Sequence, residues 1–346
     1  MSILHKWDKK FLFILLFILS TGLLIHINFW LRPTDSLRHQ DIYYVWLEGK
    51  RIINLENPYA RVLASDMRNN DKYATYFPLV YLLSALFQKL GFTSFRDWLY
   101  LWRPLSFAFH IGIAVLTLRY FILRGLLILG FVASTIILLS RWSIYIINVQ
   151  HLEFAAIFFL LLSLLLLKEK TKLALLLFSV SLGIKQIAVF LLPLYLIYLF
   201  KKSDTSTRVK DIVIGFLLIL SIPFLTSLPF IIINAEGYFK SILFSATRLA
   251  DSHIINAPSI DVILSNKFTW IIGLRAKLLM LFLMGMVYLS FLKEKSSIFL
   301  SSTITMMIFL YFNSVLFLQY FLWVLCLVPF ALVELIALPS LRTSEK

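Results

Sequence analysis

Cysteine is nearly absent. The one residue, Cys326, stands inside an apolar run, so an intrachain disulfide is excluded and the thiol reads as a small buried hydrophobe. Charge is scarce as well, 15% of 346 residues, against about 25% in an average soluble domain. Acidic residues are the rarer sign, 18 Asp and Glu against 33 Lys and Arg, for a net charge of +15. No Gly-rich phosphate loop, Ser nucleophile elbow or clustered His/Cys site occurs, which argues against soluble-type nucleotide binding and zinc chemistry; no metal and no cofactor is expected. The basic excess forms no stripe with interleaved aromatics in a soluble segment, so nucleic acid is not an expected partner. Lys and Arg gather instead in short loops beside apolar spans, as the positive-inside rule requires.

Apolar residues make up 60% of the chain, and the mean hydropathy is +0.87. An average soluble domain is about 45–50% apolar. One water-soluble core cannot hide that excess, which must face lipid. The first apolar run, Phe11–Leu31, follows Lys6, Lys9 and Lys10; at about 20 residues it is long enough to cross a bilayer as a helix. It ends in Asn28-Phe29-Trp30 rather than in small residues, and so reads as an uncleaved first helix with a cytoplasmic N-terminus.

Further apolar runs cover Tyr76–Leu90, Trp102–Leu123, Leu126–Leu139, Leu152–Leu167, Leu173–Phe200, Ile212–Ile233, Trp270–Leu292, Ile298–Phe312 and Val315–Leu338. The expectation is an all-α polytopic membrane protein with about ten transmembrane helices, one membrane-embedded domain over residues 1–346 without an internal repeat. Leu126–Leu139 is short enough to be re-entrant or a tilted half-span, and Leu173–Phe200 holds Gly183 and Lys185, which point to a break or a strong tilt. The loops 32–75 and 234–269 are placed outside and the Lys201–Lys210 loop inside; the orientation of residues 125–200 stays open, because Lys168, Lys170 and Lys172 disagree with it. Within the first external loop, Asp41–Leu55 has helical spacing, with Ile42, Val45, Trp46, Ile52 and Ile53 apolar, and is expected as an amphipathic helix on the membrane surface, ended by Asn57-Pro58.

Chemistry-bearing residues crowd the same regions. Asp41, in His39-Gln40-Asp41-Ile42-Tyr43-Tyr44, is placed to act as a general base on a sugar hydroxyl; equally, Asp is a preferred helix cap. Asn57-Pro58-Tyr59 and Tyr73-Ala74-Thr75-Tyr76-Phe77-Pro78 read either as a turn and a helix start or as the lining of a sugar site. Gln150-His151-Leu152-Glu153 puts ionisable groups at a helix start, where membrane depth would make them costly. Lys185-Gln186 is the sharpest anomaly: Leu173–Phe200 contains no other charge. Snorkelling from mid-span is hard, so Lys185 needs an anion, either a lipid-linked phosphate or an internal acid such as Glu153. Arg248, with Asp251, His253 and Asn256, is a phosphate candidate or a solvated loop charge, and Gln319-Tyr320 opens the last run ahead of Trp323 and Pro329.

Taken in order, these segments resemble the GT-C superfamily, polytopic glycosyltransferases that use polyprenyl-phosphate sugars. The carriers are Asp41-Ile42-Tyr43-Tyr44, Asn57-Pro58-Tyr59 and Tyr76-Phe77-Pro78-Leu79, similar to a mannosyltransferase pattern; Gln150-His151-Leu152-Glu153 with Lys185-Gln186, similar to glucosyltransferases of N-glycan assembly; and Gln319-Tyr320-Phe321-Leu322-Trp323 through Pro329-Phe330, similar to bacterial members. The resemblance implies an inverting transferase that moves a single hexose or pentose to a glycan or glycolipid acceptor at the external face of the plasma (inner) membrane. It implies Asp41 as the base, with Asp35 its rival, and Lys185 at the donor phosphate; Arg248 is a second phosphate candidate by its position alone. Tyr43, Tyr44, Asn57, Tyr59, Tyr76, Gln150, His151, Glu153, Gln186, Gln319 and Tyr320 are then the sugar and acceptor contacts. A transporter or flippase of lipid-linked sugars is the rival reading. Accessibility labelling of intact cells tests the shared premise: the segment carrying Asp41 should react with an impermeant reagent from outside, and labelling only after permeabilisation would remove the basis for an external site.

Overall fold

The computed structural model describes residues 9–63, 74–247, 259–260, 263, 267–268, 274–313 and 316–343. Among these every regular element is helical. In chain order they are α1 (Lys9–Trp30), a 3-10 turn (Thr34–Leu37), α2 (Asp41–Ile53), a second 3-10 turn (Ala60–Leu63), α3 (Leu79–Lys89), α4 (Phe95–Ile122), α5 (Leu127–Leu139), α6 (Arg141–Val149), α7 (Glu153–Leu166), α8 (Thr171–Ile184), a third 3-10 turn (Gln186–Leu191), α9 (Leu192–Lys202), α10 (Arg208–Thr247), α11 (Leu274–Leu292), α12 (Ile298–Phe312) and α13 (Tyr320–Thr343).

Three helices are long and apolar enough to cross a membrane, over Phe11–Trp30, Phe95–Ile122 and Arg208–Phe244; the α5–α6 pair, bent by 42°, adds a fourth if it forms one span. Large apolar side chains stand on the outside, including Phe13, Leu24, Ile128, Leu225, Ile232 and Phe282. That outward apolar surface matches a lipid environment rather than water. α4 is the central long helix: 50% of its apolar stretch is buried inside the protein, against 17% for α1 and 22% for α10.

Local signals explain the boundaries. Ser94 Oγ accepts the Asp97 N–H at 3.1 Å and starts α4, Ser140 Oγ accepts from Ser143 N at 3.1 Å and starts α6, and Ser297 Oγ accepts from Leu300 N at 3.2 Å and starts α12. The apolar stretch 173–200 is broken where the sequence placed its charge: α8 ends at Ile184, Lys185 is extended (φ −149°, ψ 117°), and α9 resumes with Pro193 in its first turn. α10 runs beyond Ile233, into the segment read as a loop, because Asn234 leaves helical geometry (φ −157°, ψ 83°) and its Oδ1 accepts the Gly237 N–H at 2.9 Å. The side chain thus caps a second helical arm, which the apolar pattern alone does not register.

α2 matches the helical spacing of residues 41–55, with Asp41 in its first turn and Lys50 and Arg51 in its last, as the helix dipole favours. Its apolar face, Ile42, Val45 and Trp46, is covered by protein, chiefly α3. The same amphipathic pattern suits a helix on a membrane or on a neighbouring helix, and here a neighbour takes the face. Gln88 Nε2 locks the pair by donating to the Trp46 carbonyl at 2.8 Å, and Trp46 Nε1 ties α2 to the link after α3 by donating to the Thr93 carbonyl at 3.2 Å. Beside them the buried Glu48 carboxylate accepts from Arg51 at 2.6 Å and Arg61 at 3.1 Å; burial nonetheless pushes its carboxyl above the ordinary value.

Gly49 sets the α2–α3 distance, since a Cβ there would collide with Ser84 and come 2.9 Å from the Ala85 nitrogen. Gly49→Val should therefore force the helices apart at a cost of about 1–3 kcal/mol. The check is the unfolding midpoint of detergent-solubilised protein, and an unchanged midpoint would contradict the close approach.

Candidate functional site

Four separate pieces of chain meet around one carboxylate. Asp41 stands in the first turn of α2, and the preceding Gln40 holds the cap position without a side-chain cap bond. The Asp41 carboxylate accepts the Tyr76 hydroxyl at 2.9 Å on Oδ2. His151 Nδ1 lies 3.4 Å from the same oxygen and 3.6 Å from Glu153 Oε2. Glu153 Oε1 is ion-paired with Lys185 Nζ. The ammonium in turn lies 5.4 Å from the Tyr76 ring centroid and 5.8 Å from that of Tyr320, within cation–π range of both. Asp41, His151, Glu153, Lys185 and Tyr76 thus form a closed ring of contacts.

The backbone explains how these groups converge. Gln150 adopts the left-handed region (φ 56°, ψ 38°), turning the chain sharply between α6 and α7. Its side chain donates to the Ile147 carbonyl at 2.6 Å, and its own carbonyl accepts Trp102 Nε1 at 3.3 Å. Glu153 then opens α7, where a carboxylate suits the positive end of the helix dipole. Of the two anions considered for Lys185, Glu153 is in contact with it. A mid-bundle ammonium is tolerable only when so compensated. Next to it Gln186 Nε2 donates to the Thr75 carbonyl at 2.6 Å, tying the break after α8 to the segment that presents Tyr76.

Exposure sorts the roles. The Glu153 side chain is fully buried, those of Lys185 and His151 are 3% and 5% exposed, and that of Asp41 is 24% exposed. Of these four side chains Asp41 is the one most able to meet a ligand. Tyr76 is held neutral, its hydroxyl pushed well above the ordinary range by burial and by the charges of Asp41 and Glu153, so it serves Asp41 as a donor. Gln150 Oε1 and Gln186 Oε1 are buried acceptors without a hydrogen-bond partner among the described residues, the kind of group a ligand hydroxyl satisfies.

Not every sequence candidate joins the ring. Tyr43 sits on the other side of α2, its ring 5.0 Å from Phe95 and 5.4 Å from Trp46; positions i and i+2 of a helix do not share a face. Tyr44, three residues from Asp41, lies on the Asp41 side by the same spacing. Tyr59 is fully buried behind the ring and donates its hydroxyl to the Tyr76 carbonyl at 2.7 Å, while Asn57 Oδ1 accepts the Tyr59 N–H at 3.0 Å. Both shape the turn that supports Tyr76, and neither presents a side chain beside Asp41. Asp35, the rival base, is exposed and ion-paired with Arg38 at 2.9 Å, apart from the ring. Gln319 is buried next to Tyr320. Arg248, Asp251, His253 and Asn256 lie outside the described residues, as does Tyr73.

Other residues of the neighbourhood were not singled out from the sequence. Tyr145 of α6 lies along the His151 ring (centroids 6.2 Å apart, 27° between planes). His26 of α1 and His110 of α4 meet at 3.1 Å, with His110 stacked on Phe154 at 4.1 Å, directly after Glu153. The rule that ionisable groups in apolar spans are rarely idle would have flagged both histidines. Residues adjoining the ring in sequence line two cavities. One, of about 240 Å³, is apolar, with Leu79, Trp98, Trp102, Leu152 and Ile184 in its wall. The other, of about 310 Å³, is lined by Arg32, Ser36, Gln40 and Asn148 among others, with the Arg32 guanidinium donating to Asn148 Oδ1 at 2.6 Å.

No family model, curated protein or solved structure matches the chain.

The buried ion pair makes a direct prediction. Lys185→Met leaves Glu153 charged and uncompensated and should cost about 3–5 kcal/mol, whereas Lys185→Met with Glu153→Gln should recover most of that loss. Thermal unfolding in detergent reads both; equal destabilisation by the single and double variants would contradict the pairing.

Proposed function

We propose that this chain is an integral membrane glycosyltransferase that moves one hexose or pentose from a polyprenyl-phosphate donor to a lipid-linked or surface glycan acceptor. The observation that carries this reading is the partly exposed Asp41 carboxylate set in a ring of Tyr76, His151, Glu153 and Lys185. In this reading three long helices, one bent pair and six shorter apolar helices make ten membrane segments, with the N-terminus cytoplasmic and the ring near the external face. The apolar cavity suits an isoprenoid chain, and the recess beside Arg32, Gln40 and Asn148 a hydroxyl-rich acceptor.

In this reading the reaction is an inverting displacement. Asp41 takes the proton of an acceptor hydroxyl, and that oxygen attacks the anomeric carbon from the face opposite the leaving group. The C–O bond to phosphate breaks, its electron pair goes to the polyprenyl phosphate, and the configuration inverts. Lys185 and Arg248 are the cations proposed for the leaving phosphate. Glu153 pairs with Lys185, so an arriving phosphate would compete with that carboxylate for the ammonium. Transport of lipid-linked sugar is the second reading, favoured by one observation: the helix broken at Lys185, a feature transporters use at substrate sites.

Mass spectrometry of glycans and glycolipids separates the two. Cells carrying the wild-type protein, none, or Asp41→Asn at matched abundance are compared. Deletion and Asp41→Asn should both remove the same single sugar, the variant slowing transfer by about 10²–10⁴-fold. Loss of a whole glycan rather than one residue supports transport, and an unchanged glycan profile refutes the transferase.

A further inference from the structure

Asp41 has two neighbours that touch the same oxygen: the Tyr76 hydroxyl at 2.9 Å and His151 Nδ1 at 3.4 Å. They arrive from different elements and are anchored differently. Tyr76 is fixed through its backbone, its carbonyl accepting the Tyr59 hydroxyl at 2.7 Å and its N–H donating to the Tyr81 hydroxyl at 3.2 Å. His151 is fixed by the left-handed turn at Gln150, by its own N–H, which donates to the Ile146 carbonyl at 3.3 Å, and by the Tyr145 ring alongside. On its other flank stands Glu153 Oε2 at 3.6 Å, an acceptor without a hydrogen bond among the described residues, on a carboxylate whose second oxygen is paired with Lys185. One imidazole nitrogen therefore faces two carboxylates, one partly exposed and one buried. Neither approach is a hydrogen bond; Nδ1 stands within ion-pair distance of both carboxylates.

We infer that His151 is a positioning residue that holds the Asp41 carboxylate through Nδ1 and couples it to the buried Glu153–Lys185 pair. The inference rests on the transferase reading for its consequence in turnover, but the contact itself is independent of that reading. Proton transfer stays with Asp41. His151 fixes the direction of Oδ2 and stabilises its ionised form, as an N–H group beside a carboxylate does. The titratable and charged groups facing the contact are Tyr76 from the segment before α3, Tyr145 of α6, Glu153 of α7, Lys185 at the end of α8 and Tyr320 of α13. The buried ammonium balances Glu153, which leaves the imidazole N–H available to Asp41.

Three variants test this: His151→Asn, whose amide nitrogen falls near the position of Nδ1; His151→Gln, whose amide reaches toward Nε2; and His151→Ala. Sugar transfer by purified protein, with a polyprenyl-phosphate sugar as probe, is measured across pH. Removal of an N–H group from beside a carboxylate raises its protonation pH, so the acid limb should move upward by about one unit in His151→Ala and His151→Gln. The turnover number should fall roughly 10- to 100-fold in both, with KM within about twofold, and His151→Asn should restore most of it. An unmoved acid limb, a loss confined to KM, or an Asn variant as impaired as Ala each overturns the assignment. The infrared carbonyl band of the protonated Asp41 carboxyl, identified by its absence in Asp41→Asn, gives a readout without turnover. If wild-type protein transfers no sugar, the transferase reading falls, yet that band still decides the contact: it should titrate at higher pH in His151→Ala, and identical titration in the two proteins rejects it.

Discussion

The ion pair between Lys185 and Glu153 is the constraint on which the rest of the site depends. Neither side chain reaches water to any useful extent, and an isolated charge in such a place is too costly to keep. Pairing solves that only if two helices each stop at the right depth, and both do. α8 ends one residue before Lys185, which goes extended; α7 begins at Glu153, after a left-handed turn. A pair of this kind adds little stability over well-packed apolar residues of the same volume. What it supplies is placement, since two chain ends are brought into register by one contact.

Around that pair the protein arranges support in depth. Tyr76 is pinned from behind by Tyr59, whose ring packs on Phe230 and Tyr238 of α10. The second arm of α10 comes so close to the Tyr59 turn that a Cβ at Gly237 would stand 2.8 Å from the Tyr59 carbonyl. Gln186 ties the broken helix to Thr75. Asp41, partly open, is thus the outermost member of a rigid set, and rigid sets hold reactive groups to the tolerance that chemistry needs.

Much of this was legible in the sequence, for identifiable reasons. A charge in the middle of a long apolar run is rare enough to mark Lys185, and the same rule marked Glu153 and His151. Asp41 stood out as a carboxylate beside aromatic residues, and the break in 173–200 followed from Gly183 and Lys185. Other features left no periodic trace. α6 is nine residues long and mixes polar with apolar positions, so it reads as loop unless Ser140 is taken as a cap. Tyr145 was invisible with it. The exact faces of Tyr43 and Tyr59 needed coordinates, because a motif fixes order along the chain while a helix assigns neighbours to different sides. The end of α10 was hidden for a related reason: its continuation past Asn234 depends on a side-chain cap rather than on hydrophobicity.

The histidine pair between α1 and α4 has a mechanical consequence. α1 is mostly bare on its outer side and is held chiefly along one edge by α4 and α5. A smooth apolar rod in that position would be free to rotate about its axis at small cost. His26 acts as a key in a slot: turning α1 would tear its imidazole from His110 at 3.1 Å and strand both in hydrocarbon. Arg103 adds a second stop, donating to the carbonyl of Trp30 at the rod's last residue at 2.9 Å. The angle at which the chain leaves α1, ten residues or so before Asp41, is therefore dialled in by a pair of rings deep inside the bundle.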